Sequence, residues 1–104
     1  MGKEREKITL GPAEKIPLGQ GRCFNVKGKD VAVFRSRSGE FSAIGNKCPH
    51  REGPLCEGII DQTFVICPYH GHKFNLHTGE GSEAGEEVEV FSVMEEGGEI
   101  LLEV

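Results

Sequence analysis

The sequence predicts an all-β domain: short antiparallel strands forming one framework, with a loop-rich segment inserted between them. Three observations support this. β-Branched and aromatic residues fall in short runs separated by Gly-bearing turns, the signature of strands joined by tight connections. No window longer than ten residues carries a sustained 3.6-residue apolar period, so no substantial helix is expected. Between residues 46 and 81 turn formers crowd the chain and strand-like runs become short.

The elements follow in order. Lys7 to Leu10 reads as a first strand, followed by turn-rich Gly11-Pro12 and Ile16-Pro17-Leu18-Gly19-Gln20-Gly21. Arg22-Cys23-Phe24-Asn25-Val26 is a β-type run ended by Lys27-Gly28-Lys29, and Asp30 to Arg35 is the return arm of that hairpin. Ser36-Arg37-Ser38-Gly39 turns the chain again into Glu40 to Gly45. Within the insert, Ile59-Ile60 and Thr63 to Ile66 are expected to pair across Asp61-Gln62. The meander resumes with Val88 to Met94, a Glu95-Glu96-Gly97-Gly98 turn, and Glu99 to Val104. The expected layout is one domain, 1–104, with a base framework of 1–45 and 82–104 and a subdomain of 46–81.

A chain of 104 residues has room for a single small core. Seventeen acidic against twelve basic residues give a formal charge of −5, which argues against a nucleic-acid partner. No apolar run approaches the roughly 18 residues needed to cross a bilayer. The charged start, Met1-Gly2-Lys3-Glu4-Arg5-Glu6-Lys7, lacks the apolar stretch of a secretory signal, so a cytoplasmic protein without a membrane partner is expected. Charge is unevenly shared: residues 74–104 hold nine glutamates and no Lys or Arg. That half is either a solvated acidic face or one end of a dipole that orients the molecule on a partner.

Four cysteines (Cys23, Cys48, Cys56, Cys67) and four histidines (His50, His70, His72, His77) supply the chemistry. In a small domain without a secretion signal, metal ligation is the stronger reading and disulfides the weaker. Cys48-Pro49-His50 and Cys67-Pro68-Tyr69-His70 form the pattern C-x-H, sixteen residues, C-x-x-H. Each half offers one soft thiolate and one imidazole, with a proline fixing the backbone after the cysteine. Zinc accepts two Cys and two His, but zinc fingers usually pair like ligands within one knuckle or helix. Here the ligand types alternate, one of each per loop, which suits two unlike metal ions reached by both loops.

That pattern, with Gly71 after the last ligand and both post-cysteine prolines, resembles Rieske-type [2Fe-2S] proteins, specifically the small soluble ferredoxins of that family. The resemblance implies a Rieske-type antiparallel β-sandwich or barrel whose insert binds one [2Fe-2S] cluster per chain. It also implies that Cys48 and Cys67 hold one iron and His50 and His70 the other. Replacing two thiolates by neutral imidazoles makes the cluster less negative and easier to reduce than an all-cysteine one. The respiratory branch carries two further cysteines that bridge its loops; Gly53 and Tyr69 stand there, so that bridge is absent. It also carries Ser and Tyr hydroxyls where this chain has His72 and Phe74. Lacking those hydrogen-bond donors, the site is expected at the lower end of the family range, roughly −150 to +300 mV.

The remaining residues read more plainly. Cys56 is expected as a free thiol packed near the first ligand loop, the alternative being that it joins the site. Cys23 is expected in the core of its strand. His72 and His77 read as solvent-facing or turn residues, and Asp30 and Thr78-Gly79 as turn chemistry. Lys47, Arg51 and Lys73 flank the ligand loops as a candidate docking rim, with ordinary surface lysines the competing reading. No stretch supplies the 2-His-1-carboxylate triad of an oxygenase centre. The expected function is therefore non-catalytic electron transfer, from a reductase to a terminal oxygenase. A second setting is the small subunit of an assimilatory NAD(P)H nitrite reductase, alongside a large subunit, whose wording Cys48-Pro49-His50-Arg51-Glu52-Gly53-Pro54-Leu55 also fits. A structural zinc module ranks third.

Overall fold

A computed structural model describes residues 6–46, 55–61, 63–67, 71–82 and 87–103. Among the described residues nine strands fall into two antiparallel sheets: β1 (Lys7–Pro12), β2 (Gln20–Val26), β3 (Lys29–Arg35), β4 (Phe41–Gly45), β5 (Ile59–Ile60), β6 (Phe64–Ile66), β7 (Lys73–Asn75), β8 (Val90–Glu96) and β9 (Glu99–Glu103). The larger sheet runs β1-β9-β8-β4-β3-β2 and the smaller β5-β6-β7. Two single-turn 3-10 segments, Ala13–Lys15 and Leu55–Glu57, are the helical elements among the described residues. None of the described helices is long and apolar enough to cross a membrane.

The six strands of the larger sheet share one core. Inward residues from every strand meet there: Ile8, Val26, Val31, Val33, Ala43, Phe91, Ile100 and Leu102, closed by Ala13 and Ile16. Sharing one core requires the sheet to curl. The β2-β3-β4 meander forms as the sequence predicts, joined by the Lys27-Gly28 and Ser36–Gly39 connections. One part of the expected layout changes. Gly11-Pro12 is not a turn: both residues pair with β9, after an irregularity between Thr9 and Gly11. The first and last strands pair, β1 on β9, and β8 joins β4.

β3 decides where everything else sits. Its run Val31-Ala32-Val33-Phe34 is buried without interruption, which a strand achieves only when both faces are covered. Val31 and Val33 face the first core. Ala32 and Phe34 face a second, made with Ile44, Leu55, Cys56, Val65, Cys67, Phe74 and Leu76. The smaller sheet and the Leu55–Glu57 turn therefore pack on the outer face of β3 and β4.

Period-two alternation also corrects the expectation for Cys23. Because Val26 and Phe24 turn toward the first core, Cys23 faces the other way, beside the edge of the sheet, and is exposed.

Candidate metal centre

Of the four predicted ligands, Cys48, His50 and His70 lie outside the described residues, and Cys67 lies within them. Described residues hold the roots of the two loops that carry the predicted ligands.

The second loop is a six-residue connection between β6 and β7, whose pairing ends at Ile66 and Lys73. Cys67 and His72 close it: the Cys67 amide donates to the His72 carbonyl at 2.7 Å. Inside, the Gly71 amide donates to the Cys67 carbonyl at 3.1 Å. Gly71 adopts φ +74°, a left-handed conformation that side chains resist, so a glycine suits this position, directly after the predicted ligand His70. Cys67 itself is buried among Phe74, Val65 and Leu55, with 2% of its surface exposed.

The first loop is fastened by Asn46. Its carbonyl accepts from the Leu55 amide at 2.7 Å, and its Oδ1 accepts from the Cys56 amide at 2.9 Å. Its own amide donates to the Asp30 carbonyl at 3.0 Å. One residue thus ties entrance, exit and sheet together around residues 47–54. Sequence reasoning passed over Asn46; the available signal was an Asn two residues before Cys48, the first predicted ligand, a residue type suited to such side-chain-to-backbone bonds.

The two roots meet at Gly58. Its amide donates to the Leu55 carbonyl at 2.9 Å. A Cβ there would collide with the Ile66 carbonyl oxygen and stand 2.9 Å from a Val65 methyl. The exit of the first loop therefore lies directly on the residue that precedes Cys67. Beside them, the Asp61 carboxylate accepts from the Phe64 amide at 2.7 Å and the Thr63 amide at 2.8 Å, forming the β5-β6 turn. Those two bonds, the Phe64 one foremost, hold its carboxyl below its ordinary pKa.

Lesser expectations resolve as follows. Cys56 is not a free thiol: its sulfur is joined to that of Cys23, across a Cα–Cα distance of 5.3 Å. The expectation failed because partners 33 residues apart leave no local signal. His77 is exposed and sits in a turn in which the Asn75 side chain accepts from the His77 and Thr78 amides. His72 is half-buried, with its carbonyl closing the second loop. Gly79 (φ +81°) completes the turn at Thr78, whereas Asp30 is the second residue of β3 and accepts from the Asn25 side chain at 3.1 Å. Lys73 is exposed on β7, while Lys47 and Arg51 lie outside the described residues.

The family model for the Rieske [2Fe-2S] domain matches residues 6–94. The chain belongs to the Rieske family. Solved Rieske structures cover nearly all of it. A proposed NADH-dependent nitrite reductase small subunit from Mycobacterium tuberculosis superposes with a TM-score of 0.91 at 22% identity, covering 98% of this chain and 97% of that one. The ferredoxin of carbazole 1,9a-dioxygenase from Nocardioides aromaticivorans gives 0.82 at 27% identity, covering 92% and 95%. In sequence, the 3-phenylpropionate/cinnamic acid dioxygenase ferredoxin subunit of Shigella flexneri is 29% identical over 101 residues, 94% of this chain and 93% of that protein. The 4beta-methylsterol monooxygenase of Methylococcus capsulatus is 44% identical over 48 residues, 46% of this chain. This chain spans only 13% of that enzyme's length.

The residues present suit the family's [2Fe-2S] cluster. Cys67 supplies a thiol in an apolar, buried position, the roots of both loops converge beside it, and each loop carries one Cys and one His in sequence. Thiolate and imidazole are the donors a Rieske centre uses.

Proposed function

We propose that this Rieske protein is a one-electron carrier that passes electrons from a reductase to a terminal oxygenase and performs no catalysis of its own. Cys48 and Cys67 would hold one iron, and His50 and His70 the other. The cluster, when bound, supplies a single reversible electron. The chain's own part is to fix the roots of the two loops and to bury Cys67 in the core on the outer face of β3 and β4. The carrying observation is the convergence of both loop roots at Gly58, next to buried Cys67.

In this reading residues 46–81 act as a cluster-binding subdomain on a base of 1–45 and 82–104 within one domain, working in the cytoplasm. The relatives named as ferredoxins, matched along nearly the full chain, support the oxygenase setting. A nitrite reductase small subunit is the second setting, favoured by the Cys48–Leu55 wording of the first loop. Co-purification separates the two: the first partner set is a reductase with an oxygenase, the second a nitrite reductase large subunit.

Metal and sulfide analysis of the purified holoprotein tests the reading. About two irons and two acid-labile sulfides per chain, with uptake of a single electron, are expected. Stoichiometric zinc without sulfide would replace the carrier with a structural metal module.

A further inference from the structure

Cys23 and Cys56 stand outside the proposed ligand set. Cys23 projects from β2, an edge strand of the larger sheet, and is exposed. Cys56 lies in the Leu55–Glu57 turn, 5% exposed, one residue after the first loop returns to Asn46. Their sulfurs are joined, and the Cα–Cα distance of 5.3 Å lies within the span that disulfides adopt without backbone movement. A cleft of about 350 Å³ opens beside Cys56, lined also by Gln20, Arg22, Glu57 and Ile59; Cys23 does not line it. With Cys23 an exposed residue and Cys56 lining that cleft, a small thiol can approach the bridge from solvent. Cys67, the described member of the ligand set, takes no part in it.

We propose that Cys23 and Cys56 are a reversible thiol–disulfide couple that fastens the exit of the first ligand loop to the sheet edge, with a small thiol of the glutathione class as its exchange partner. In exchange, the incoming thiolate attacks Sγ of Cys23, the exposed residue of the pair, and the Cys23–Cys56 bond breaks. Cys56 leaves as a thiolate and takes a proton from water. A second thiolate then attacks the mixed disulfide and releases Cys23, which is protonated in turn. The bridge gains two electrons and two protons, and two small thiols become one disulfide. The oxidised form holds Cys56 covalently; the reduced form leaves the loop exit to the Asn46 hydrogen bonds and the surrounding core. The proposal rests on the functional reading only in treating residues 47–54 as a ligand loop.

The test uses the full-length holoprotein equilibrated without oxygen in glutathione buffers of graded redox ratio. Thiols are alkylated and mapped by peptide mass, and amide exchange is followed at residues 55–58 and 22–24. Reduction is expected to expose two additional alkylatable thiols, Cys23 and Cys56, reversibly, with loss of exchange protection at residues 55–58. The C23S variant, altered at an exposed position, should show the fast exchange of the reduced protein at every ratio. A bridge mapped to Cys48 or Cys67 would overturn the proposal, as would no bridge at any ratio or protection that ignores the redox state. Mass and exchange are read without reference to iron, so a failure of cluster assembly registers separately, against the functional reading.

Discussion

Replacing Asn46 with Ala removes the oxygen that accepts the Cys56 amide at 2.9 Å while leaving the backbone bonds of residue 46 in place. Cys56 is 5% exposed, so its N–H loses its acceptor where water reaches poorly. An unmet buried donor costs about 1–3 kcal/mol; the bond is only part-buried, which places the expected loss at about 1–2 kcal/mol. With a urea slope of about 2 kcal/mol/M, the unfolding midpoint should fall by about 0.5–1 M. Asn25→Ala is the matched control. It removes an exposed Asn bond, that to Asp30, and should stay within about 0.5 kcal/mol of the parent. Urea unfolding followed by circular dichroism reads both. Because Asn46 ties the two ends of residues 47–54, iron per chain should fall in the first variant and hold in the second. A midpoint for Asn46→Ala indistinguishable from that of Asn25→Ala would refute the reasoning that this side chain fastens the loop.

Three further outcomes are expected. Gly58→Ala forces a Cβ against the Ile66 carbonyl and Val65, an overpacked contact between the loop roots that should cost about 1–3 kcal/mol and lower iron content, read by thermal unfolding and metal analysis. Phe74→Ala empties a fully buried position in the core beneath the smaller sheet and should cost about 3–5 kcal/mol in urea, against far less for a substitution at exposed Ile59. Asp61 has a folded pKa below its unfolded one, so its contribution is present above the unfolded value and is lost as pH falls through the folded value. NMR titration of its carboxyl carbon should therefore show a midpoint below that of an unfolded peptide of the same sequence, and an unshifted midpoint would contradict the two amide bonds.

Much of this fold was legible because its signals are local. The Asp30–Arg35 run sits between a Lys27-Gly28 turn and a Ser-rich turn, and both register as hairpins without tertiary information. Ile59-Ile60 and Phe64–Ile66 were readable for the same reason, with Asp61 supplying the turn. β7 was not: Lys73–Asn75 has one buried residue, Phe74, and three positions carry no alternation to detect. Gly11-Pro12 misled because its composition is that of a turn, while the pairing of β1 with β9 across the length of the chain puts it in a strand. The site shows the same divide. C-x-H and C-x-x-H are compact patterns whose chemistry can be read from spacing. The hydrogen bonds of Asn46, the close approach at Gly58 and the Cys23–Cys56 bridge depend on chain segments that only folding brings together.

Mixed ligation by two imidazoles and two thiolates is the point on which the functional account turns, and pulsed electron paramagnetic resonance of the dithionite-reduced holoprotein addresses it directly. The account predicts a spin-half signal whose modulation contains two directly coordinated nitrogens, assigned to His50 and His70. A reduced cluster without nitrogen coupling, or a protein with no paramagnetic signal at all, would contradict it.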